Sequence, residues 1–206
     1  AWAAVVDRAR AAFGRPPLGP EAVSALGFPL LSGVDGGRPA LLPLERLEPL
    51  GKGGMNTVSR SADLLTGRPL VVRRLIPAES AIEEEMRRRR NELVRERLSV
   101  LRRHPVLQRF WGSGLVEGEA CELFDFAPGT TLAQHVREKG LTYGALLDVG
   151  WHAARGLLHL SRHGLVHGDV KPENFCVEER GSGGSARLRV SLIDFDIVST
   201  VDEQLF

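Results

Sequence analysis

The feature that most constrains the fold is a polar segment, Leu165–Asn174 (LVHGDVKPEN), that follows a long apolar helical pattern. Asp169, Lys171 and Asn174 stand within it at offsets of zero, two and five. Pro172 stiffens the backbone between them. This spacing can direct a carboxylate, an ammonium group and an amide oxygen toward one point, whereas an Asx turn beside a surface lysine is the simpler alternative. Lys171 is one of only three lysines among 27 basic residues, which favours a functional role for it over a surface lysine.

The composition is that of an ordinary globular chain, with 206 residues, 43% hydrophobic and 26% charged. These values exclude collagen, coiled coil and disorder. A net charge of +1 gives no global field that favours nucleic acid or an anionic membrane as the partner. No apolar run approaches the about 18 residues of a membrane-spanning helix. Because the chain begins at Ala1, we expect a processed or cut fragment, and nothing predicts its oligomeric state.

Apolar residues recur at helical spacing in four places. The N-terminal pattern ends at Gly14, and the next one is highly charged. We expect the last helix to bury a broad apolar face that includes Leu146, Leu147 and Leu158. The run Arg87–Arg90 is expected to be a solvated face, with phosphate or peptide binding as the alternative. The predicted helices are residues 2–13, 78–103, 132–138 and 146–160.

Short β-branched and apolar runs predict strands between these helices. A hairpin is expected around the Thr66-Gly67 turn, and further strands at 111–117, 120–126 and 187–193. The first strand of the hairpin region contains Gly51, Gly53 and Gly54, whose backbone amides could approach phosphate oxygens; a plain structural turn is the alternative.

Asp194 ends an apolar strand, where a lone carboxylate is costly unless a cation faces it. A magnesium ion that bridges nucleotide phosphates would supply that charge.

These segments, taken in order, resemble the motifs of the eukaryotic-type protein kinase superfamily. The resemblance covers about residues 50–196, and the Lys-Pro-Glu-Asn string resembles serine/threonine rather than tyrosine kinases. The matching segments are LGKGGMNTV for the glycine-rich loop, VVRRL for the strand that follows it, a charged helix, ELFDFAPGTTL for the hinge, VHGDVKPENF for the catalytic loop and LIDFD for the DFG segment.

The resemblance implies an α+β, two-lobed protein-kinase-like fold with an N-terminal helical extension. Residues 1–49 would form that extension and residues 50–126 the small lobe. Residues 127–206 would form the first part of a large lobe that is incomplete, because the chain ends at Phe206.

The resemblance also implies binding of Mg-ATP and transfer of the γ-phosphoryl group to a protein hydroxyl. Asp169 would be the catalytic base and Lys171 the phosphate-neutralising residue. Asn174 and Asp194 would be the magnesium ligands. The residues implied for the nucleotide are Leu50, Gly51, Lys52, Gly53, Gly54, Val58, Val71, Arg73, Glu96, Asp125 and Ala127, with Phe124 as gatekeeper.

Several positions depart from the family pattern, among them Asn56, which stands in place of the third glycine of the glycine-rich loop. Arg73 stands where these kinases carry an ATP-anchoring lysine, and its expected partner on the charged helix is Glu96, or Glu92 in the alternative alignment. Gly168 replaces the arginine before the catalytic Asp, which predicts activity that is independent of activation-loop phosphorylation. Asp196 replaces the glycine of DFG and is expected to hinder a backbone flip there.

Three functions therefore fit the sequence: an active kinase, a pseudokinase that binds nucleotide or a partner protein, and a nucleotide-free scaffold. The N-terminal helix and the segment AIEEEMRRRRNELVRERLSVLR further resemble the apicomplexan rhoptry kinases. That resemblance implies secretion through the rhoptry into a host cell and host proteins as substrates; otherwise a cytoplasmic location is expected.

Overall fold

The structure is a computed structural model that describes residues 2–18, 44, 46–52, 56–76, 78–101, 103–116, 119–181 and 187–200. It contains helices and antiparallel sheets, as expected for the α+β class. The chain divides into two compact units. The first holds residues 1–78 and 110–126, and the second holds 79–109 and 127–206. The charged helix thus groups with the second unit, while the lobe boundaries expected from the sequence stay a prediction.

The first unit is a five-stranded antiparallel sheet preceded by one helix. The strand order is β1-β2-β3-β5-β4, so β3 and β5 lie next to each other although about fifty residues separate them. The elements are α1 (Trp2–Ala12), β1 (Glu48–Lys52), β2 (Asn56–Ala62), β3 (Pro69–Leu75), β4 (Phe110–Val116) and β5 (Glu119–Asp125).

The turn between β2 and β3 confirms the predicted hairpin. The Asp63 carboxylate accepts hydrogen bonds from the Leu65 amide at 2.9 Å and the Thr66 hydroxyl at 2.7 Å. Gly67 adopts φ +71, and a Cβ there would meet the Arg15 guanidinium at 2.4 Å. The left-handed backbone therefore favours glycine here, while the Arg15 guanidinium, at the end of a flexible side chain, can move away from a Cβ.

Helix α1 is tied to the same turn by Arg10, which is only 2% exposed. Its guanidinium donates from Nε to the Pro16 carbonyl at 2.9 Å and from Nη1 to the Leu64 carbonyl. A buried guanidinium needs such acceptors, because an unpaired buried charge is strongly destabilising. The N-terminal helix is therefore part of the first unit.

One face of the sheet forms the apolar core of the first unit. Alternate residues of a strand point to the same face, so Leu70 and Val72 on β3 lie beside Cys121 and Leu123 on β5. All four are at most 1% exposed, and Leu44 packs with them. The opposite face carries three of the candidate nucleotide residues, Val58, Val71 and Arg73.

The second unit combines three helices with two small sheets. A hydroxyl caps the N-terminus of each helix: Ser80, Thr131 and Thr142 each accept from the backbone amide three residues later. The sheets are β6-β8-β9 and β7-β10. The elements are α2 (Ala81–Ser99), β6 (Thr130–Thr131), α3 (Leu132–Lys139), α4 (Tyr143–Arg162), β7 (Leu165–Val166), β8 (Phe175–Arg180), β9 (Arg187–Leu192) and β10 (Ser199–Thr200).

The expected buried face of α4 is wrong in part. Val149, Gly156 and Leu160 are its buried residues, whereas four of the apolar residues expected inside are exposed. The helix is apolar over most of its circumference, so its periodicity does not identify which face packs. The four exposed residues of α4 are Leu146, Leu147, Ala154 and Leu158.

No helix among the described residues is both long and apolar enough to cross a bilayer.

Candidate active site

The polar segment Leu165–Asn174 begins with β7 and leads directly into β8 of the second unit. Residues Pro172–Asn174 form one turn of 3-10 helix, in which the Asn174 amide donates to the Lys171 carbonyl at 2.9 Å. The Asn174 carbonyl in turn accepts from the Ile193 amide at 2.8 Å. Asn174 is 5% exposed, so these bonds hold a polar residue in a fixed place inside the unit.

The three polar residues of this segment meet at Asp169. The Lys171 ammonium donates to Asp169 Oδ2 at 2.6 Å. Asn174 Nδ2 donates to the same oxygen and to the Asp169 carbonyl, each at 2.9 Å. The hydrogen bond from Lys171 is the main cause that lowers the pKa of Asp169, and it raises the pKa of Lys171. The carboxylate is therefore ionised, and it can accept a hydrogen bond from a hydroxyl group that approaches from solvent.

A residue that the sequence analysis did not single out, His167, joins this loop to the segment after β9. Its Nδ1 accepts from the Asp169 amide and its Nε2 donates to the Ile193 carbonyl, both at 3.3 Å. The partners fix the tautomer, because an amide only donates and a carbonyl only accepts. Burial lowers the pKa of His167, which keeps the ring neutral. Its ring centroid lies 5.2 Å from that of Phe195.

Asp194 lies two residues after the end of β9 and has φ +65, the only positive φ at a non-glycine residue among those the structure describes. Its Oδ1 accepts from the Asp196 amide at 3.4 Å. Aspartate tolerates the left-handed region better than most residues, since its short side chain can bond to nearby backbone. The unusual backbone in this segment is therefore at Asp194 and not at Asp196.

Arginines of α2 hold the chain just beyond Asp194. Arg90 donates from Nε and Nη2 to the Asp196 carbonyl at 2.9 and 2.8 Å. Arg97 donates to the Val198 carbonyl at 2.6 Å. The run Arg87–Arg90 is therefore only partly the solvated face that we expected: Arg88 and Arg89 are exposed, but Arg90 binds backbone.

Both the backbone conformation and a close neighbour favour glycine at position 168. It adopts φ +83, and a Cβ would lie 2.7 Å from the Ile197 carbonyl oxygen. An arginine at this position would need both a strained backbone and a shift of the chain at Ile197. The absence of arginine before Asp169 is thus built into the packing of the loop.

The first unit brings several of the residues expected to contact a nucleotide together on one face of its sheet. Val58 lies opposite Arg73, and Val71 lies opposite Phe124, so these side chains share one face of the sheet. Arg73 also lies opposite Glu122 on β5. Its Nε donates to Glu122 Oε2 at 2.9 Å, and Nη2 bonds to the same oxygen. The guanidinium carbon lies 5.1 Å from the Phe124 ring centroid.

Glu122 is a second residue that the sequence analysis missed. It is 1% exposed and Arg73 is 8% exposed, so the two form a buried ion pair. One charged residue within each of two apolar strands, Arg73 and Glu122, could have indicated the pair. The strand register that places them opposite each other was not evident from the sequence. The expected pairing of Arg73 with Glu96 or Glu92 of α2 stays a prediction. Glu96 is exposed, and Glu92 accepts from Arg88 on its own helix at 2.9 Å.

The remaining predicted residues are dispersed. Leu50, Gly51 and Lys52 lie exposed on β1, and Gly53 and Gly54 lie outside the described residues. Ala127 is half-buried and belongs to the second unit.

Asp125 has a role within its own unit that was not foreseen. Its carboxylate accepts two hydrogen bonds from Arg68, each at 3.0 Å, and one from Trp111 Nε1 at 2.7 Å.

Residues 44–205 match the family described as "Protein kinase domain". The chain belongs to the protein kinase family. It is 28% identical over 159 residues to a serine/threonine-protein kinase, pkn2, of Myxococcus xanthus, covering 76% of this chain and 18% of the relative. It is 23% identical over 164 residues to the serine/threonine-protein kinase PAK mbt of Drosophila melanogaster, covering 79% of this chain and 23% of the relative. The chain thus spans about a fifth of the length of these curated relatives.

A protein kinase domain in general uses ATP and a divalent metal ion, and the second unit offers suitable oxygen donors for the metal. The Asn174 amide nitrogen is engaged with Asp169, which fixes the amide group and leaves its oxygen as a ligand. Asp194 supplies a carboxylate. Magnesium takes one or two protein oxygens and completes its shell with phosphates and water. Asn174 and Asp194 would provide such protein oxygens. Among the described residues, no group of three His, Cys, Asp or Glu could hold a metal ion without phosphates or water.

Proposed function

We propose that this protein kinase domain transfers the γ-phosphoryl group of ATP to a serine or threonine hydroxyl of a protein. The observation that carries the proposal is the arrangement of Lys171 and Asn174 around one carboxylate oxygen of Asp169. Phosphoryl transfer of this kind needs positioning and charge stabilisation more than strong bases. A fixed, ionised carboxylate beside a fixed ammonium group supplies both.

Asp169 would accept the hydrogen bond of the substrate hydroxyl and then its proton, as the hydroxyl oxygen bonds to the γ-phosphorus and ADP leaves. Its lowered pKa makes it a weak base, so orienting the hydroxyl is its main contribution. Lys171 would neutralise charge on the transferred group. Asn174 and Asp194 would hold the metal ion, which supplies charge neutralisation at the phosphates when bound.

His167 would act as a positioning residue in this reaction. It links the Asp169 amide to the Ile193 carbonyl, next to Asp194, so one neutral ring fixes the spacing of the proposed base and metal ligand. Arg90 would have a similar role from α2, since it binds the Asp196 carbonyl.

A second candidate function is a pseudokinase that binds nucleotide or a partner protein without efficient transfer. The Arg73–Glu122 pair favours it. The guanidinium is a planar fork already bonded to a buried carboxylate, whereas the lysine of this family's pattern is a slim point charge. Secretion through the rhoptry, host substrates and a cytoplasmic location stay predictions.

The test is a thermal-shift titration with ATP, with and without Mg²⁺, followed by phosphate transfer to a serine-containing protein. The active kinase is expected to show both, and Asp169→Asn is expected to lose transfer while it keeps nucleotide affinity. Asp194→Asn is expected to lose the Mg²⁺-dependent part of the thermal shift. Binding without transfer in the unsubstituted chain would favour the pseudokinase, and transfer by Asp169→Asn would refute the proposed base.

A further inference from the structure

A groove of about 430 Å³ lies in the second unit, away from the residues assigned above. Helix α4 forms one wall and the β8–β9 hairpin forms the other. Pro105 is exposed at the groove, whereas the other apolar residues that line it, Val106, Leu188 and Val190, are buried. None of these residues belongs to the proposed catalytic machinery.

Four arginines line this groove: Arg155 from α4, and Arg180, Arg187 and Arg189 from the hairpin. Two carboxylates accompany them. Arg187 pairs with Asp148 at 3.2 Å, while Glu178 lies 3.0 Å from Arg180 and 3.7 Å from Arg189. Four guanidinium groups against two carboxylates leave an excess of positive charge in one place, although the whole chain carries a net charge of only +1.

The register of β8 and β9 places two of these arginines directly opposite each other. Arg180 and Arg187 are direct partners across the β8–β9 pair, and like charges directly opposite each other are destabilising. Arg189 lies on the same face, two residues along β9. The exposed fractions of these side chains are 60%, 81% and 44%, so their pairs with carboxylates are exposed and easily exchanged. An anion bound among them would relieve the repulsion.

The chemistry of the groove matches a phosphate monoester. A guanidinium presents two parallel N–H donors, which fit phosphate oxygens, and clusters of arginine are a common way to recognise phosphorylated peptides. A phosphate with a charge near −2 offers three acceptor oxygens, enough to engage more than one of the four arginines at once. A single carboxylate would leave most of these donors unused.

We propose that this groove binds a phosphoserine or phosphothreonine within a protein segment. The arginines are accessible from solvent, and an extended segment can lay its phosphate on them and an apolar side chain on the exposed Pro105. A small metabolite is normally enclosed by its site, and these exposed side chains do not enclose one. The proposal is independent of phosphate transfer, because the binding needs no nucleotide.

The experiment measures fluorescence anisotropy of a labelled peptide that contains one phosphothreonine flanked by leucine and aspartate, added to the full chain without nucleotide. The same peptide without phosphate is the first comparison. The test variant is Arg155→Ala with Arg189→Ala. Arg137→Ala is the matched control, since Arg137 is an exposed arginine of α3 outside the groove. Circular dichroism establishes that each variant is folded, and Arg187→Ala, at an 81% exposed side chain, replaces the double variant if that one unfolds.

The double variant is expected to weaken phosphopeptide binding by about tenfold or more, as for the loss of a charge-assisted hydrogen bond, and removal of the phosphate is expected to do the same. Arg137→Ala is expected to leave affinity unchanged. Equal binding of both peptides, or equal affinity in the groove variant and the control, would overturn the proposal. Full competition by inorganic phosphate at peptide concentration would reassign the groove to the free ion. Stronger competition by a single-stranded oligonucleotide would reassign it to nucleic acid.

Discussion

Arg73 and Glu122 face each other across β3 and β5 and form a buried ion pair on the sheet face that also carries Val58 and Val71. The pair joins two strands that are distant in sequence, and it fixes the guanidinium of the residue that we expect at the place of the family's ATP-anchoring lysine. A buried pair of this kind is costly to break, because the remaining charge has no water to replace its partner.

Removal of the carboxylate is expected to destabilise the first unit. Glu122→Leu leaves the Arg73 guanidinium buried without this partner, which costs about 3–5 kcal/mol in comparable pairs. Urea denaturation measures the free energy of unfolding. The control is the double variant Arg73→Met, Glu122→Leu, which is expected to recover most of the loss since no buried charge remains. A Glu122→Leu chain as stable as the unsubstituted one would show that the pair contributes little.

Substitution of Arg90 is expected to loosen the segment after Asp194. Arg90→Ala removes two hydrogen bonds to the Asp196 carbonyl, so the backbone near Val198 should open more often. Hydrogen exchange of the Val198 amide is expected to become faster by about tenfold, as for the loss of one or two hydrogen bonds. Arg88→Ala is the matched control, because Arg88 pairs only with carboxylates on its own exposed helix face among the contacts described. Identical exchange in both variants would contradict the role given to Arg90.

Gly168 and Gly164 allow strain and steric clash to be separated. Both have positive φ, +83 and +69, but only at Gly168 would a Cβ meet another group, the Ile197 carbonyl at 2.7 Å. Gly164→Ala should therefore show the backbone strain alone, about 1–2 kcal/mol. Gly168→Ala should lose more, since the chain at Ile197 must also shift. Equal losses in thermal denaturation would show that the loop adjusts freely around residue 168.

The parts of the site that the sequence predicted are those whose geometry is local. Asp169, Lys171 and Asn174 are within five residues of each other, so one short loop is enough to bring their side chains together. Glu122 was missed because its partner is 49 residues away and depends on strand register. A one-residue slip would turn Glu122 to the other face.

The buried face of helix α4 also could not be predicted from the sequence alone. Its pattern predicted a helix, and the helix forms, but apolar residues occur on more than one face. Leu160 is 1% exposed while Leu147 is 56% exposed, although both satisfy a helical spacing. Periodicity gives the type of element, and the choice of the packed face depends on what lies beside it.

Lys171 is expected to control the protonation of Asp169. Its hydrogen bond is the largest cause that lowers the pKa of Asp169, so Lys171→Met should raise that pKa toward the usual value for aspartate. The carboxylate would then take up a proton at a higher pH as the solution is acidified. A ¹³C NMR titration of the labelled carboxyl group measures this directly without substrate. Lys139→Met, at an exposed lysine of α3 that pairs with Glu179, is the control and should leave the Asp169 titration unchanged.

His167 is expected to make the stability of the second unit depend on pH. Burial lowers its pKa, so the unfolded chain takes up a proton more readily than the folded one. Stability is then fully present above the unfolded pKa of about 6.5 and is lost as the pH falls through and below it. His167→Phe, which keeps a ring beside Phe195, should flatten the decline in unfolding free energy between pH 7 and pH 5 by up to about 1.4 kcal/mol per pH unit. Burial also lowers the pKa of His104, so His104→Gln measures its separate share. If His167→Phe declines as steeply as the unsubstituted chain while His104→Gln does not, the pH dependence belongs to His104, and His167 is protonated as readily in the folded protein as in the unfolded one.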